Sequence, residues 1–298
     1  MPEGDTVHKV AGVIRRELEG RTLERCMIRG VYGSERLAGS TVQEVSAVGK
    51  HMLVVFDRDL QLRVHLGMKG SWHRYKPGAR WKKPKSTAAV VLATESTELV
   101  LFNALDVELI PTPQKKWHKQ LNALGPDLLG EAEPDWADVL KRCYRLHKSE
   151  DLLGEVLLDQ RVAAGIGNVY KSELAFMGPL EKDAFQPAEV GFSPYLPLGQ
   201  VPPEALEGMF RRARPLLQAN LGGWFRTTRV DRRTAPAPKD GIVFVYGREG
   251  EECRRCENGK IQMGFQGLQN RVTYWCDGCQ GHGTSSPTSD ERWWRTEP

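Results

Sequence analysis

The sequence predicts an α+β protein of several domains: an antiparallel β-sandwich with flanking helices, then a helical domain, then a small cysteine-rich hairpin. Three observations lead to this prediction. Short β-rich runs fill residues 22–112, apolar residues at helical spacing fill 134–220, and two CxxC pairs follow. The length of 298 residues suits two domains with an appendage. The predicted boundaries are 1–122, 123–240 and 241–282, with a disordered polar tail over 283–298.

The N-terminal domain opens with a predicted amphipathic helix over residues 5–19. Apolar residues recur at helical spacing from Val7 to Leu18, and Gly20 ends the pattern. Turn-like segments then separate short runs rich in β-branched residues, which is typical of an antiparallel sandwich. The clearest predicted strands are 52–56, 60–66, 87–93 and 98–104.

The second half of the chain changes to helical spacing, with Gly and Pro between the segments. The predicted helices are 135–146, 149–160, 169–178 and 203–221. A basic, proline-containing stretch over 223–240 follows, and we expect it to be a mobile loop. The arginines around it are typical of a solvated basic face.

Composition limits the classes of protein that this chain can be. Apolar residues make up 40%, enough for real cores, and the net charge of +4 permits a polyanionic partner without requiring one. No apolar run approaches the roughly 18 residues needed to span a bilayer. The acidic, polar N-terminus does not resemble a secretory signal. The predicted location is therefore the cytoplasm.

Two cysteine pairs predict one structural zinc ion. Cys253 and Cys256 are followed, after 19 intervening residues, by Cys276 and Cys279. Each pair offers two thiolates from one tight turn, and four thiolates close a tetrahedral site with no open position for substrate. Redox-active dithiols are the alternative. The residues between the pairs predict a β-hairpin, with Arg271 near its tip, either binding a phosphate or simply solvated.

A glycine-rich turn between two predicted helices suggests a phosphate site. Gly165 and Gly167 allow a tight turn with exposed amides, and Asn168 is a good N-cap for the second helix. Together with Lys171 these groups can hold a phosphate at a helix N-terminus. An ordinary helical hairpin explains the same local pattern, so the spacing alone leaves both interpretations open.

Several motifs together resemble a known family. They are the opening MPEG, VGKH at 48–51, LGPDLLG at 124–130, GIGNVYKSEL at 165–174, VYGREGE at 245–251 and the CxxC pairs. In this order and spacing they resemble the formamidopyrimidine-DNA glycosylase/endonuclease VIII family over residues 1–282. MPEGDTVH and RVTYWC are most similar to its actinobacterial-type endonuclease VIII branch. The resemblance implies a monomeric, bifunctional DNA glycosylase and AP lyase of base excision repair that acts on damaged double-stranded DNA. It also implies a bacterial cytoplasmic protein that DNA binding places at the nucleoid.

The chemistry predicted for the N-terminus follows from the amine of Pro2. Removal of Met1 exposes a secondary amine that can attack C1′ of a damaged nucleotide and form a Schiff base, after which elimination breaks the strand. Glu3, next in sequence, is suited to carry protons. The resemblance assigns Lys50 as a second essential cation and Arg271 as the phosphate clamp that supports δ-elimination.

The resemblance also assigns two DNA contacts. Asn168 matches the phosphate-binding residue of the helix–two-turn–helix. Met68 lies between Gly67 and Gly70 and matches the methionine that enters the stack when a damaged base leaves it. Core packing is the alternative for a lone methionine, but the flanking glycines and Lys69 favour exposure.

The sequence departs from formamidopyrimidine enzymes at two places. Residues 102–107 lack the arginine–phenylalanine pair, and the 223–240 loop lacks the residues that grip 8-oxoguanine. Both departures favour oxidised pyrimidines as substrates. The hairpin around Met68 is nevertheless closer to the formamidopyrimidine version, and Ala123 replaces an expected DNA-contacting arginine. The alternatives are an 8-oxoguanine-type glycosylase, a non-catalytic abasic-site-binding protein on this fold, and a zinc-ribbon transcription factor.

Overall fold

A computed structural model describes residues 2–112, 118–223, 225–231, 236 and 241–280. The chain divides into two compact units, residues 1–131 and 132–298, which are described separately below. The predicted first boundary, after residue 122, falls earlier than this division. The reason is the LGPDLLG run, whose Asp127 hydrogen-bonds to residues of the N-terminal unit.

The N-terminal unit contains two four-stranded antiparallel sheets, as the sandwich prediction requires. One sheet has the order β1-β6-β7-β5 and the other has the order β2-β3-β4-β8. Helix α1 spans Gly4–Leu18 and a short α2 spans Lys119–Asn122. The strands are β1 Arg25–Ile28, β2 Val42–Val48, β3 His51–Phe56, β4 Leu60–His65, β5 Ser71–Tyr75, β6 Ala88–Ala93, β7 Glu98–Phe102 and β8 Asp106–Pro111.

One apolar core joins α1 to both sheets. The buried face of α1 includes Val7, Ala11, Ile14 and Leu18, which are the positions that the helical spacing predicted. They belong to the same buried cluster as residues of β2, β3, β4, β6 and β7. A second, smaller apolar cluster covers the opposite face of the β1-β6-β7-β5 sheet and includes Phe102. The core therefore fixes the start of α1 against the sandwich.

The C-terminal unit is helical and carries a two-stranded hairpin. Asp135 caps the first helix by accepting hydrogen bonds from the backbone of Ala137 and Asp138. The elements are α3 Trp136–Leu146, α4 Leu153–Leu158, α5 Asn168–Met177, α6 Pro203–Ala219, β9 Ile261–Gln266, β10 Arg271–Cys276 and α7 Asp277–Gln280. The predicted helices 135–146, 169–178 and 203–221 match α3, α5 and α6 closely, whereas α4 is shorter than predicted at both ends.

Part of the 223–240 stretch differs from the expected mobile loop. Thr227 and Thr228 are completely buried. Thr227 Oγ1 and the Thr228 amide both donate to the Ile242 carbonyl at 2.9 Å. Residues 224, 232–235 and 237–240, like the predicted tail over 283–298, lie outside the described residues. Among the helices that the structure describes, none is long and apolar enough to cross a membrane.

Candidate active site and DNA-contact elements

The first helix starts at the predicted nucleophile. Pro2 is half-buried, and Glu3, the residue before α1, is completely buried. The Glu3 carbonyl accepts the first helical hydrogen bond, from the amide of Val7 at 3.0 Å. The amides of the first turn give the helix N-terminus a partial positive charge, which lies beside Pro2.

Lys50 lies in the two-residue turn that joins β2 to β3. Gly49 takes the left-handed conformation that the turn needs, with φ of +56°. Val48 pairs with His51 across the turn, so Lys50 is presented at the end of the β2-β3-β4-β8 sheet. Its side chain is half-buried. The turn is therefore rigid, which suits a residue that must hold a fixed position.

Asp127 connects the helix of Pro2 to the turn of Lys50. One carboxylate oxygen, Oδ2, lies 3.1 Å from Nε2 of His8 on α1 and accepts a 2.9 Å hydrogen bond from the amide of Gly49. The other oxygen accepts from the amide of Leu129 at 3.0 Å. A single side chain thus fixes two predicted catalytic elements relative to each other. The sequence offered one sign of this role, the LGPDLLG motif, but no role was predicted for its aspartate.

A buried polar network supports the strand that follows Lys50. Arg63 is completely buried and donates to the carboxylates of Asp106 and Glu108. Its Nη1 lies 3.1 Å from Nδ1 of His51. Burial first, and then the neighbouring positive groups, lower the pKa of His51 to about 3. The residue beside Lys50 is therefore neutral at physiological pH, and Lys50 has no second cation next to it in sequence.

Two exposed apolar side chains protrude together from the N-terminal unit. Met68 is 71% exposed and Leu105 is 70% exposed. Leu105 lies against the backbone next to Met68, because a Cβ added at Gly67 would be only 2.6 Å from Cβ of Leu105. Leu105 is also held by its amide, which donates to the carbonyl of His65 at 3.1 Å. Core packing, the alternative for Met68, is thus wrong, and Leu105 is a neighbour that the sequence analysis missed.

The glycine-rich turn of the C-terminal unit differs from the prediction in one detail. Gly167, not Asn168, occupies the N-cap position, and Asn168 is the first residue of α5. Gly165 has φ of +125°, which only glycine adopts easily. Gly167 and Asn168 are both buried, with Asn168 5% exposed. The turn therefore brings backbone amides to a helix start, as predicted, but without the asparagine cap.

Lys171 does not have the surface position that a phosphate contact needs. Its side chain is completely buried, and Nζ donates to the carbonyl of Val272 at 3.0 Å and to Oγ1 of Thr273. The prediction that Lys171 binds DNA directly is corrected accordingly. The side chain instead joins α5 to β10, the strand that begins with Arg271.

The four predicted metal ligands lie together. The ligand atoms of Cys253, Cys256, Cys276 and Cys279 are all within 4.8 Å of one another. The two sulfur–sulfur contacts, between Cys253 and Cys279 and between Cys256 and Cys276, are 3.6 Å long, too long for disulfides. Tetrahedral thiolates around zinc at about 2.3 Å stand roughly 3.8 Å apart. The cluster can therefore bind one metal ion.

Close glycine packing supports this interpretation of the cysteine cluster. A Cβ added at Gly259 would lie 2.4 Å from Sγ of Cys276 and 2.7 Å from Sγ of Cys256. A Cβ at Gly278 would lie 2.9 Å from Sγ of Cys256. A side chain at Gly259 or Gly278 would therefore collide with the sulfur atoms, so the backbone at these two positions approaches the cluster as closely as only glycine allows.

Arg271 lies at the tip end of the predicted hairpin. It opens β10, pairs with Gln266 of β9, and is half-buried. Its Nε donates to Oε1 of Gln269 in the connecting turn at 2.9 Å. A second residue of that turn, Leu268, is fully exposed. The hairpin thus presents Arg271 on a rigid support, as the spacing of the cysteines predicted.

Glu173 is a further structural residue of this unit that the sequence analysis missed. It is completely buried on α5. Its two oxygens accept hydrogen bonds from three consecutive amides, Phe244, Val245 and Tyr246, at 2.8–2.9 Å. The glutamate therefore holds the VYGREGE motif against α5, the helix that follows the glycine-rich turn. Both motifs were visible in the sequence, but nothing in it indicated that they touch.

Comparisons with known proteins agree with this geometry. The formamidopyrimidine-DNA glycosylase N-terminal domain matches residues 1–105. A probable endonuclease 8 2 from Streptomyces coelicolor is 37% identical over 94% of both chains. The DNA-(apurinic or apyrimidinic site) lyase Nei2 of Mycolicibacterium smegmatis is 36% identical over 94% of this chain and 99% of the relative. The chain belongs to the formamidopyrimidine-DNA glycosylase/endonuclease 8 family.

Solved structures of the family show the same fold. The Lactococcus lactis formamidopyrimidine-DNA glycosylase in complex with abasic-site DNA gives a TM-score of 0.73 at 22% identity, covering 94% of this chain and 100% of that one. A structure of MutM with DNA containing carbocyclic 8-oxoguanine gives the same TM-score at 21% identity. The predicted family resemblance and fold class are thereby confirmed.

Proposed function

We propose that this chain excises oxidised pyrimidines from double-stranded DNA and cleaves the strand through a Schiff base on Pro2. As a member of its family, the chain is a bifunctional DNA glycosylase and AP lyase of base excision repair. One observation carries the mechanistic part of the proposal. The Pro2–Glu3 pair starts α1, and Asp127 connects that helix to the turn of Lys50.

Pro2 supplies the nucleophile once Met1 is removed. An α-amine has a pKa of about 7.7–8.0 in peptides, so a useful fraction of such amines is neutral at pH 7. The nitrogen lone pair bonds to C1′ as the bond from C1′ to the base breaks. Because the amine is secondary, opening of the sugar ring leaves a cationic iminium. Loss of a 2′ proton then expels the 3′ phosphate, and a second elimination expels the 5′ phosphate.

Glu3 carries the protons of these steps. Its burial excludes bulk water from the carboxyl group and keeps it beside Pro2. Such a group can protonate the sugar ring oxygen as the ring opens and can later help remove the 2′ proton. Lys50 provides positive charge for the phosphate or the sugar oxygen at this end of the sandwich. We assign Asp127 a positioning role only.

The C-terminal unit supplies the phosphate contacts. Arg271 binds phosphate from the hairpin, and the amides near Gly167 with Asn168 bind a second phosphate at the start of α5. Lys171 acts indirectly by holding β10. The four cysteines Cys253, Cys256, Cys276 and Cys279 would hold a single structural zinc ion, which would stabilise the hairpin and leave no open position for substrate.

Met68 and Leu105 fill the gap that the extruded base leaves. A damaged base must leave the stack to reach an amine, and apolar side chains commonly take its place. Both residues are exposed and adjacent, which is costly for apolar groups without a partner but useful for a wedge. The pair also provides apolar contact where formamidopyrimidine enzymes use arginine and phenylalanine.

Borohydride trapping on an abasic duplex tests the nucleophile. Pro2→Gly, Glu3→Gln and a retained N-terminal extension are each expected to reduce the covalent adduct at least 100-fold, because the amine or its proton carrier is lost. Pro202→Gly and Glu24→Gln, both at exposed positions, are matched controls that should trap normally. Normal trapping with a blocked N-terminus overturns the Pro2 assignment. Binding of abasic DNA without nicking by the wild type favours the non-catalytic alternative.

A panel of duplexes tests the lesion class. Thymine glycol, dihydrouracil and 5-hydroxycytosine are expected to be excised faster than 8-oxoguanine opposite cytosine. The reason is that residues 102–107 lack the arginine–phenylalanine pair used to probe an orphaned cytosine. A clear preference for 8-oxoguanine opposite cytosine would leave the lyase mechanism intact and assign the chain to the other branch.

A further inference from the structure

The positive charge of this chain is concentrated in one segment. Residues 60–94 contain no Asp or Glu and eight Lys or Arg residues. The other 263 residues hold 34 Lys and Arg against 38 Asp and Glu. The net charge of +4 therefore arises entirely from this segment, while the remainder of the chain is slightly acidic. Charge separation of this kind indicates a surface for a polyanion.

Most of these cations lie in the loop between β5 and β6, residues 76–85, which we term the basic loop. Five of its ten residues are Lys or Arg. Because β7 lies between β5 and β6 in the sheet, the loop must cross the outer face of β7. Lys76, Arg80, Lys82 and Lys85 are exposed, and Lys83 is half-buried.

The basic loop is fixed to the sheet instead of moving freely. Trp81 packs edge-on against Phe102 with ring centroids 5.8 Å apart, and its Nε1 donates to Glu98. The amide of Lys82 donates to the hydroxyl of Tyr75 at 3.0 Å. These contacts use aromatic groups to anchor the backbone and leave the cationic side chains on the outer surface. Such an arrangement holds several charges in place at little further entropic cost on binding.

In the part of the chain that the structure describes, no ion pair joins a cation of the loop to a carboxylate. Glu98 is buried and bonded by Trp81 and Arg25, and Glu17 is bonded by Arg74. The field of the loop affects a neighbouring side chain, His73 on β5. Burial first, and then the ammonium groups of Lys83 and Lys82, lower the pKa of His73.

The loop also returns toward the exposed side chains of Met68 and Leu105, which we term the apolar protrusion. Nζ of Lys83 donates to Oγ of Ser71 at 2.7 Å, at the start of β5 and three residues after Met68. Lys76 follows the last residue of β5 and Lys83 contacts the first, so the loop runs back along this strand. Five residues of a strand span about 17 Å, which is the length of roughly five base pairs. The spacing of phosphates along one strand, about 3.4 Å axially, suits several contacts over that length.

We infer that the basic loop is an additional DNA-backbone contact, which binds phosphates to one side of the lesion and supplies non-specific affinity during the search for damage. This inference rests on the proposed function, since it assumes that the duplex is seated at the Met68 protrusion. The contact adds affinity and salt dependence and takes no part in base removal or elimination. Its partner is duplex DNA, recognised by charge and without sequence preference.

Binding to an undamaged 25-base-pair duplex, measured by fluorescence anisotropy over a salt series, tests the inference. The variant R80S/K82S/K85S removes three exposed charges of the loop. We expect its logarithmic salt slope to fall by about 2–3 and its affinity at low salt to fall about tenfold or more. The matched control R16S/R21S/R36S removes three exposed charges elsewhere on the same unit and should change the slope by less than about 1.

The outcomes separate this inference from the proposed function. Borohydride trapping at saturating enzyme should be the same for the loop variant and the wild type, because the loop takes no part in the chemistry. Equal effects of the two triple variants would show that only net charge matters and would overturn the inference. Failure of the wild type to trap abasic DNA would overturn the proposed lyase mechanism, while the salt slopes would still report on the loop.

Discussion

The basic loop and the α5–α6 region are both rich in cations, but the structure uses these cations in opposite ways. The loop exposes Lys76, Arg80, Lys82 and Lys85. In the C-terminal unit, Lys171 and Arg212 are completely buried. Arg212 donates to five backbone carbonyls, those of Gly178, Pro179, Asp183, Ala184 and Gln186.

The difference lies in the acceptors that surround each cation. Burial lowers the pKa of Arg212 to about 10, but its hydrogen bonds hold the charged form inside. The loop backbone instead packs over apolar rings, and Lys76, Arg80, Lys82 and Lys85 stay exposed. A buried cation of this kind cross-links the fold, whereas an exposed cation without a carboxylate partner is available to a phosphate. Counting Lys and Arg in a sequence does not distinguish the two.

The largest expected effect is the loss of stability on replacing Arg212. Arg212→Met leaves several buried carbonyl groups without a donor, so we expect the free energy of unfolding to fall by about 3 kcal/mol or more. Urea unfolding followed by circular dichroism measures this change. The loop variant R80S/K82S/K85S is the control and should stay within about 0.5 kcal/mol of wild type. Equal losses of stability in Arg212→Met and in the loop variant would contradict the distinction between buried cations that cross-link the fold and exposed cations that do not.

Lys171→Met should produce the next largest effect. It removes the donor to Val272 and Thr273, and we expect a loss of about 2 kcal/mol together with faster hydrogen exchange in β10. Lys141→Met, at an exposed position of α3, serves as control. Weaker DNA binding by Lys171→Met with unchanged stability and exchange would instead restore the direct phosphate contact that the sequence suggested.

The apolar protrusion extends the comparison to uncharged groups. Met68→Ala and Leu105→Ala should leave stability unchanged within about 0.5 kcal/mol, because both side chains are exposed. Excision of a damaged base should slow about tenfold, since the gap is filled less well. Incision at a preformed abasic site should change less, because no base has to be expelled. Equal slowing of both reactions would argue against a wedge.

The smallest effect concerns His147, a half-buried side chain that can titrate. The Asp159 carboxylate, 3.2 Å from Nε2 of His147, raises the pKa of this histidine, and Asp151 adds to the effect. A raised pKa means that the stabilisation is present at low pH and is lost as pH rises through the raised value. The stability advantage of wild type over His147→Gln should therefore decrease as the pH rises from about 6 into the alkaline range. Thermal unfolding across that range measures it, and a pH-independent difference would contradict it.

Regular patterns in the sequence predicted much of the fold. The spacing of Val7 and Leu18 predicted α1, a short β-rich run predicted β3, and the residues between the cysteine pairs predicted the hairpin with Arg271 near its tip. These features depend on neighbours close in sequence. The contacts of Asp127, the burial of Lys171 and the exposure of Leu105 depend on residues far away in the chain. No local pattern encodes them, so they required the structure.

The Asp127 contacts have a consequence for the order in which the protein is made. His8 and Gly49 lie 119 and 78 residues before their shared partner. A ribosome adds about 5–20 residues per second, so Pro2 emerges roughly 6–25 s before the carboxylate that fixes its helix to the turn of Lys50. The proposed nucleophile thus exists for seconds in a chain whose proposed active site is incomplete. A fragment that ends at residue 122 would remain in that state permanently.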